Sequence, residues 1–175
     1  VRYKLKSPLP KAPYIIVSNH SSYLDIFLLH SILPQHPFAF LGKAEILRYP
    51  IVRTYFKALN IPVYRKDKSK AGQAFVQAKK AVESGWSIVI FPEGTIPEEN
   101  IPQMIPFKNG AFRLASNHQT PVVPITFYDN KKRFSYTFFS GGPGRMRAKI
   151  HKFIRTEGLT TQDTRALNEQ ARTVI

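Results

Sequence analysis

The chain has 175 residues, of which 43% are hydrophobic, and this is enough for one domain with a substantial core. It contains no cysteine, which excludes a thiol nucleophile, a disulfide framework and any zinc site that uses cysteine ligands. Its 26 basic and 11 acidic residues give a net charge of +15, which favours a polyanionic partner: nucleic acid, an anionic membrane surface or a phosphorylated substrate.

No stretch of the sequence approaches the ~18 consecutive apolar residues of a membrane span, and no signal-peptide pattern opens the chain. The first residue is Val1 and not methionine. We therefore expect residues 1–175 to form a single domain, and we expect them to be a fragment that lacks the membrane-anchoring segment or signal of the natural N-terminus.

Apolar runs and helical periodicity alternate along the first three quarters of the chain. The predicted strands lie at residues 14–18, 38–41, 61–64, 87–91 and 122–127. The predicted helices lie at residues 23–32, 44–59, 69–84, 110–116 and 161–174. This alternation predicts an α/β fold with a largely parallel central sheet flanked by helices, with the strand order left open.

After residue 127 the pattern changes. Residues 132–139 and 145–154 are predicted as strands joined by the turn Gly141-Gly142-Pro143-Gly144, which would give the sheet antiparallel edge strands towards the C-terminus. In the second of these strands, apolar and basic residues alternate, which predicts one buried face and one basic face that includes His151.

The first candidate site is Asn19-His20-Ser21-Ser22-Tyr23-Leu24-Asp25, at a predicted strand end and helix start. The backbone reverses there, so the side chains of His20 and Asp25 can converge. A carboxylate that accepts the Nδ1 proton of an imidazole leaves Nε2 free to take a proton from a substrate hydroxyl. The alternative is structural: Asp25 caps the helix and His20 donates to a carbonyl oxygen.

The second candidate site is Phe91-Pro92-Glu93-Gly94-Thr95, directly after a predicted strand. Ligands of α/β sheets gather beyond the carboxyl ends of strands, and this loop and the His20 loop both lie at such an end. Gly94 permits close approach of the backbone to a ligand, and Glu93 can accept hydrogen bonds from substrate hydroxyls or hold an arginine. A plain turn with a solvated glutamate is the alternative.

Two cations are candidate phosphate ligands. Arg65 follows the predicted strand 61–64, and its guanidinium offers a planar fork of donors suited to phosphate. Lys108 opens a predicted helix whose N-terminal amides favour an anion. The alternative for both residues is solvated surface charge.

Four stretches, taken in chain order, resemble the sequence blocks of the glycerolipid acyltransferases, and most resemble the 1-acylglycerol-3-phosphate acyltransferases. They are residues 19–25, Arg65, residues 91–95 and residues 122–125. Residues 107–112 resemble a further recurrent stretch of that family. Four blocks in order over residues 14–128 are far more specific than one.

The resemblance implies roles for individual residues. His20 would be the general base on the acceptor hydroxyl, and Asp25 would orient it. Arg65 would bind the phosphate of the acceptor, and Lys108 would also bind substrate. The acceptor-site loop would contribute Glu93, Gly94 and Thr95. Pro124, in the fourth block, would lie on the acyl-donor side.

The resemblance also implies the reaction: transfer of a fatty acyl group from acyl carrier protein or coenzyme A to the free hydroxyl of 1-acylglycerol 3-phosphate, giving phosphatidic acid. No metal and no cofactor is expected beyond the acyl-thioester co-substrate. The expected partners are a lysophospholipid acceptor and an anionic membrane surface. We expect the protein at the cytoplasmic face of the cell membrane, either peripheral or anchored through a segment missing from this chain.

Two alternatives stay open. The enzyme could acylate another lysolipid or an acylated amino acid. From a different class, the chain could be a basic nucleic-acid-binding module, although its basic residues are scattered and no aromatic-basic RNA-binding motif is present. We therefore expect no nucleic-acid partner.

Overall fold

A computed structural model describes residues 1–45, 53, 60–64, 67–97, 104–134 and 141–175. Most of the predicted helix 44–59 lies outside the described residues, and so does Arg65. Within the described ranges, no helix is long and apolar enough to cross a membrane.

Seven strands form one sheet. In chain order they are β1 (Arg2–Leu5), β2 (Ile15–Ser18), β3 (Phe38–Lys43), β4 (Asn60–Val63), β5 (Ser87–Ile90), β6 (Val122–Phe127) and β7 (Arg147–Ile150). The order across the sheet is β1-β7-β6-β2-β5-β3-β4. All neighbours pair in parallel except β6 and β7, which are antiparallel. The predicted α/β fold with a largely parallel sheet is confirmed.

Helices connect the strands and cover both faces of the sheet. They are α1 (Leu24–Ile32), α2 (Lys68–Glu83), α3 (Gly110–Asn117), α4 (Asn130–Arg133) and α5 (Thr164–Val174), and a short 3-10 helix at Thr161–Asp163 precedes α5. The predicted helices 23–32, 69–84, 110–116 and 161–174 are confirmed to within a few residues. Asp67 caps α2 by accepting a hydrogen bond from the backbone amide of Lys70.

The three central strands β2, β5 and β6 are buried along their whole length. Their side chains alternate between two hydrophobic cores, one on each face of the sheet. One core contains residues of α1, and the other contains residues of α2, α3 and α5. Strands that are covered on both faces read as continuous apolar runs, and this is why they were visible in the sequence.

The prediction of a strand at residues 132–139 is wrong at its start, because residues 130–133 form helix α4. Residues 135–140 lie outside the described part of the chain. The side chain of Asn130 is fully buried. The amide of Phe134 donates to the Asn130 carbonyl oxygen, so the backbone forms a helical turn here. Among the described residues, the antiparallel partner of β7 is β6.

The edge strand next to β7 is β1, which was not predicted from the sequence. Its four residues are all exposed, so they show no apolar alternation. Strand β7 does alternate as predicted, with Ala148 and Ile150 buried and Arg147 exposed.

His151 departs from the predicted basic face because it is buried. Its Nε2 lies 2.7 Å from Thr126 Oγ1. Burial, followed by the charges of Lys149 and Lys6, lowers the pKa of His151 to about 4. The folded state therefore favours the neutral imidazole.

We expect His151 to make stability depend on pH. The unfolded chain takes up its proton near pH 6.5 and the folded chain only near pH 4, so the free energy of unfolding falls as pH drops through this window. The loss is about 3 kcal/mol, since each pKa unit corresponds to about 1.4 kcal/mol. Urea unfolding at pH 7 and pH 4.5 measures it. The variant His151→Gln should be less pH-dependent, and an unchanged slope would contradict the prediction.

Candidate functional site

The candidate site lies at the carboxyl edge of the parallel strands. β2 ends at Ser18 and leads into the His20 loop, and its neighbour β5 ends at Ile90 and leads into the Glu93 loop. The two motifs are 73 residues apart in sequence but adjacent in space, because parallel pairing brings the carboxyl ends of neighbouring strands together.

His20 and Asp25 form the predicted pair. Nδ1 of His20 lies 2.9 Å from Oδ2 of Asp25. A carboxylate carries no proton to donate, so Nδ1 holds the proton and Nε2 has a free lone pair. The imidazole is 16% exposed and Asp25 is fully buried. Within the described residues, Nε2 of His20 has no hydrogen-bond partner, so it is available to a substrate hydroxyl.

The Asp25 carboxylate is held by several further donors. Its Oδ2 accepts hydrogen bonds from the backbone amides of Ser21, at 2.7 Å, and Ser22, at 3.0 Å. Its Oδ1 accepts from Nδ2 of Asn130, also at 2.7 Å. These donors satisfy a buried negative charge and leave the carboxylate one orientation, facing the imidazole.

Asn130 was missed in the sequence. It stands in the first turn after β6 and its side chain is fully buried. The rule that ligands gather at the carboxyl ends of parallel strands was a usable signal, because β6 is the other neighbour of β2. Asn130 is a positioning residue, since it acts on the imidazole through Asp25.

We expect Asn130→Ala to lower both stability and turnover. It removes a hydrogen bond to a buried carboxylate, which is worth about 1.5–3 kcal/mol. Chemical denaturation measures the first effect, and initial rates at saturating substrate measure the second. Asn117→Ala is the matched control, because Asn117 is exposed at the end of α3. Equal stability of the two variants would contradict the role of Asn130.

Glu93 braces the loop that carries the histidine. Its Oε1 accepts a hydrogen bond of 2.8 Å from the backbone amide of His20, and its Oε2 accepts one of 3.1 Å from the amide of Ile105. The side chain is 1% exposed, and burial raises the pKa of its carboxyl group. Both oxygens of Glu93 thus face backbone amides, and this makes Glu93 the link between the two motifs.

Phe91 fixes the plane of the imidazole. Its ring stacks on that of His20, with ring centroids 4.0 Å apart and an angle of 16° between the planes. The ring of Phe40 stacks in turn on that of Phe91, with ring centroids 6.5 Å apart. The ring of His20 is therefore held at Nδ1 by the carboxylate and on one face by an aromatic side chain.

Gly94 and Lys108 lie against each other beside Glu93. Gly94 has φ of 75°, in the left-handed region that favours glycine. A Cβ built on Gly94 would lie 2.8 Å from Nζ of Lys108, so the absent side chain leaves room for the ammonium group. The amide of Lys108 donates to the carbonyl oxygen of Pro92, which ties the two loops together. Lys108 thus brings an exposed cation to this edge of the site.

The structure brings together His20, Asp25, Glu93, Gly94 and Lys108, but not every predicted residue. Thr95 is exposed, and its hydroxyl contacts only the adjacent carbonyl oxygen of Ile96 in the described part of the chain. Pro124 is buried within β6 opposite Val17, inside the sheet and not at its edge. The predicted place of Arg65 in the site lies outside the described residues.

The described residues contain no group of histidine and acidic side chains arranged to hold a metal ion. What the site presents is an oriented imidazole with a free Nε2, backed by a buried carboxylate, with an exposed ammonium group against Gly94 in the neighbouring loop. This set can accept a proton from a hydroxyl and can attract an anionic substrate.

Comparison with known proteins identifies the family. The family model described as Acyltransferase matches residues 1–128, which hold both motifs of the site. The chain belongs to the acyltransferase family.

Several curated relatives carry one name. A 1-acyl-sn-glycerol-3-phosphate acyltransferase of Saccharomyces cerevisiae is 34% identical over 94% of this chain and 54% of its own length. The human 1-acyl-sn-glycerol-3-phosphate acyltransferase beta is 32% identical over 95% of this chain and 61% of its own length. The chain thus spans a little over half the length of these relatives. The predicted resemblance to the glycerolipid acyltransferases is confirmed.

The fold is also known from a solved structure. The crystal structure of the 1-acyl-sn-glycerophosphate acyltransferase PlsC from Thermotoga maritima matches with a TM-score of 0.78 and 21% identity. The match covers 99% of this chain and 70% of that protein. At this level of identity the match shows a shared fold alone.

Proposed function

We propose that this chain transfers a fatty acyl group from an acyl thioester to the free hydroxyl of 1-acylglycerol 3-phosphate, giving phosphatidic acid. The observation that carries the proposal is the imidazole of His20, held by Asp25 with its Nε2 free. The names of the relatives support the choice of acceptor.

The chemistry follows from this pair. Nε2 of His20 takes the proton of the acceptor hydroxyl while its oxygen attacks the thioester carbonyl carbon. The tetrahedral intermediate then collapses, the carbon–sulfur bond breaks, and the thiolate takes the proton from the imidazolium. Asp25 stabilises the imidazolium that forms between these two events, because its carboxylate lies 2.9 Å from Nδ1. The protein forms no covalent bond to the acyl group, and the thioester is a co-substrate.

Cations on one flank of His20 would bind the acceptor phosphate. Lys108 lies against Gly94, beside the loop that Glu93 braces. The predicted phosphate ligand Arg65 follows Tyr64 at the end of β4, and the carboxyl ends of β4 and β5 share one edge of the sheet. Lys108 thus lies on the side of His20 where β5, β3 and β4 lie, and we propose that Arg65 binds the acceptor phosphate together with it.

Exposed apolar side chains around α1 suit a lipid substrate and a membrane surface. Tyr23, Phe27 and Phe134 are all at least 40% exposed. Tyr23 and Phe134 contact each other edge to face, and the hydroxyl of Ser22 donates to the carbonyl oxygen of Phe134 at 2.5 Å. They therefore lie next to the His20 loop. With the net charge of +15, they favour action at an anionic membrane surface, which we place at the cytoplasmic face of the cell membrane.

The test is a panel of acceptors and donors. Purified protein is offered 1-acylglycerol 3-phosphate, other lysophospholipids and glycerol 3-phosphate, each with acyl-coenzyme A and acyl carrier protein donors. Mass spectrometry of the products should show phosphatidic acid as the main product. Products made only from another acceptor would replace the acceptor in this proposal, and no acyl product from any pair would reject acyl transfer.

A further inference from the structure

A second basic site lies on the other flank of His20. A cavity of about 350 Å³ is lined by Asp129, Arg133, Arg145 and Arg147. All four residues follow residue 128, where the match to the family model ends. Three guanidinium groups against one carboxylate leave the cavity with a net positive charge, which attracts an anion.

The residues that line the cavity lie at the same edge of the sheet as His20. Because β7 runs antiparallel to β6, its first residue Arg147 lies beyond Phe127, at the end of β6 from which Asn130 reaches Asp25. Arg133 stands three residues after Asn130 on α4, about one helical turn away. The cavity therefore lies on the β6 side of β2, whereas Lys108 lies against the loop that follows β5 on the other side.

The arginines are held in place before any ligand binds. The guanidinium of Arg133 donates to the carbonyl oxygens of Arg145, at 3.1 Å, and Pro143, at 2.9 Å. Gly144 has φ of 150°, and a Cβ on it would lie 2.6 Å from the Arg133 guanidinium, so the loop wraps this group closely. Asp129, which is 4% exposed, holds Arg147 through two hydrogen bonds of 2.7 Å. The positive charges are thus preorganised, and this lowers the entropic cost of binding an anion.

One arginine of the cavity is left for a ligand. The side chain of Arg145 is exposed and has no hydrogen-bond or ion-pair partner within the described ranges. Its guanidinium can therefore give its donors to phosphate oxygens as a bidentate fork.

Basic residues continue from the cavity along the sheet. In the register of β1 and β7, Arg2 lies opposite Arg147 and Lys4 lies opposite Lys149. Like charges directly opposite each other on neighbouring strands are destabilising. A bound polyanion would relieve this repulsion, so the arrangement favours a ligand with more than one phosphate.

We propose that the cavity and this strip bind the phosphates of a coenzyme A thioester, so that the donor reaches His20 from the flank opposite the acceptor. The inference rests on the proposed acyl transfer. A reaction between two phosphorylated substrates needs two separate cationic sites on either side of the base. Lys108 and Arg65 would serve the acceptor, and Arg133, Arg145 and Arg147 serve the donor.

The experiment compares acyl-coenzyme A with acyl-dephospho-coenzyme A, which lacks the phosphate on the ribose, in the wild type and in Arg145→Gln. We expect a KM for the dephospho donor about tenfold higher in the wild type, the effect of one charge-assisted hydrogen bond. Arg145→Gln should raise the KM for acyl-coenzyme A by a similar factor and abolish the discrimination, with kcat and acceptor KM unchanged. Arg165→Gln is the matched control, because Arg165 is exposed on α5.

Other outcomes overturn the inference. An unchanged donor KM in Arg145→Gln, a change in acceptor KM alone, or activity only with acyl carrier protein would each do so. Loss of binding to anionic phosphatidylglycerol vesicles, with donor KM intact, would assign the arginines to lipid headgroups. Calorimetry with coenzyme A keeps the two proposals apart: binding that depends on Arg145 without any acyl transfer would support this site and reject the proposed function.

Discussion

Replacement of His20 by alanine is expected to lower turnover by about 10³-fold, within the range that a positioned general base contributes. The variant removes the Nε2 that would take the hydroxyl proton, and no other imidazole replaces it among the described residues of the site. The KM values of both substrates should change little, because the proposed phosphate ligands do not include the imidazole. Steady-state kinetics with 1-acylglycerol 3-phosphate and an acyl thioester measure the loss.

The fold should survive this change. Asp25 keeps its hydrogen bonds to Ser21, Ser22 and Asn130 when the imidazole is removed, so its buried charge stays satisfied. The circular dichroism spectrum and the unfolding midpoint should therefore stay close to those of the wild type. His118→Ala is the control, since His118 lies at the end of α3, away from the motif. If His20→Ala kept more than about a tenth of the wild-type turnover, His20 would not be the base.

The variant Asp25→Asn is expected to lose about 10³-fold or more in turnover while it stays folded. An asparagine amide oxygen in the place of Oδ2 can still accept from Ser21, Ser22 and His20. Its amide nitrogen would face Asn130, whose Oδ1 is buried without a partner in the described structure and can turn to accept. The hydrogen bonds are thus kept and only the negative charge that stabilises the imidazolium is lost.

Comparison with Asp25→Ala separates charge from structure. Alanine leaves the amides of Ser21 and Ser22 and the Nδ2 of Asn130 without an acceptor, and each buried unpaired donor costs about 1–3 kcal/mol. Asp25→Ala should therefore unfold at clearly lower denaturant than Asp25→Asn, although both are inactive. Near-normal turnover of Asp25→Asn would show that the carboxylate charge is not used in the reaction.

The parts of the fold that the sequence predicted are those whose pattern is local. The strands at Ile15–Ser18 and Val122–Phe127 are continuous apolar runs, because both of their faces are buried. The short helix α4 and the edge strand β1 have no such pattern, since tertiary hydrogen bonds of Asn130 and pairing with β7 determine them. Local propensity carries no information about a partner that is distant in the chain.

The site divides in the same way. His20, Asp25, Glu93, Gly94 and Lys108 were found from motifs, because reactive residue types follow strand ends in the sequence. The sequence predicted the contacts of these residues less well than their presence in the site. Glu93 was expected to face substrate, but both of its oxygens accept backbone amides, and Pro124 was expected in the site but lies inside β6.

The sequence by itself determined the family, the fold class and the histidine–carboxylate pair. These depend on residue types and short spacings, which can be read directly from the order of the amino acids. Only the tertiary structure decided that Asn130 completes the buried shell of Asp25, that Phe91 stacks on His20, and that arginines after β6 line one cavity. The physical reason is the strand order: β5 and β6 both flank β2, so residues far apart in sequence meet around one imidazole.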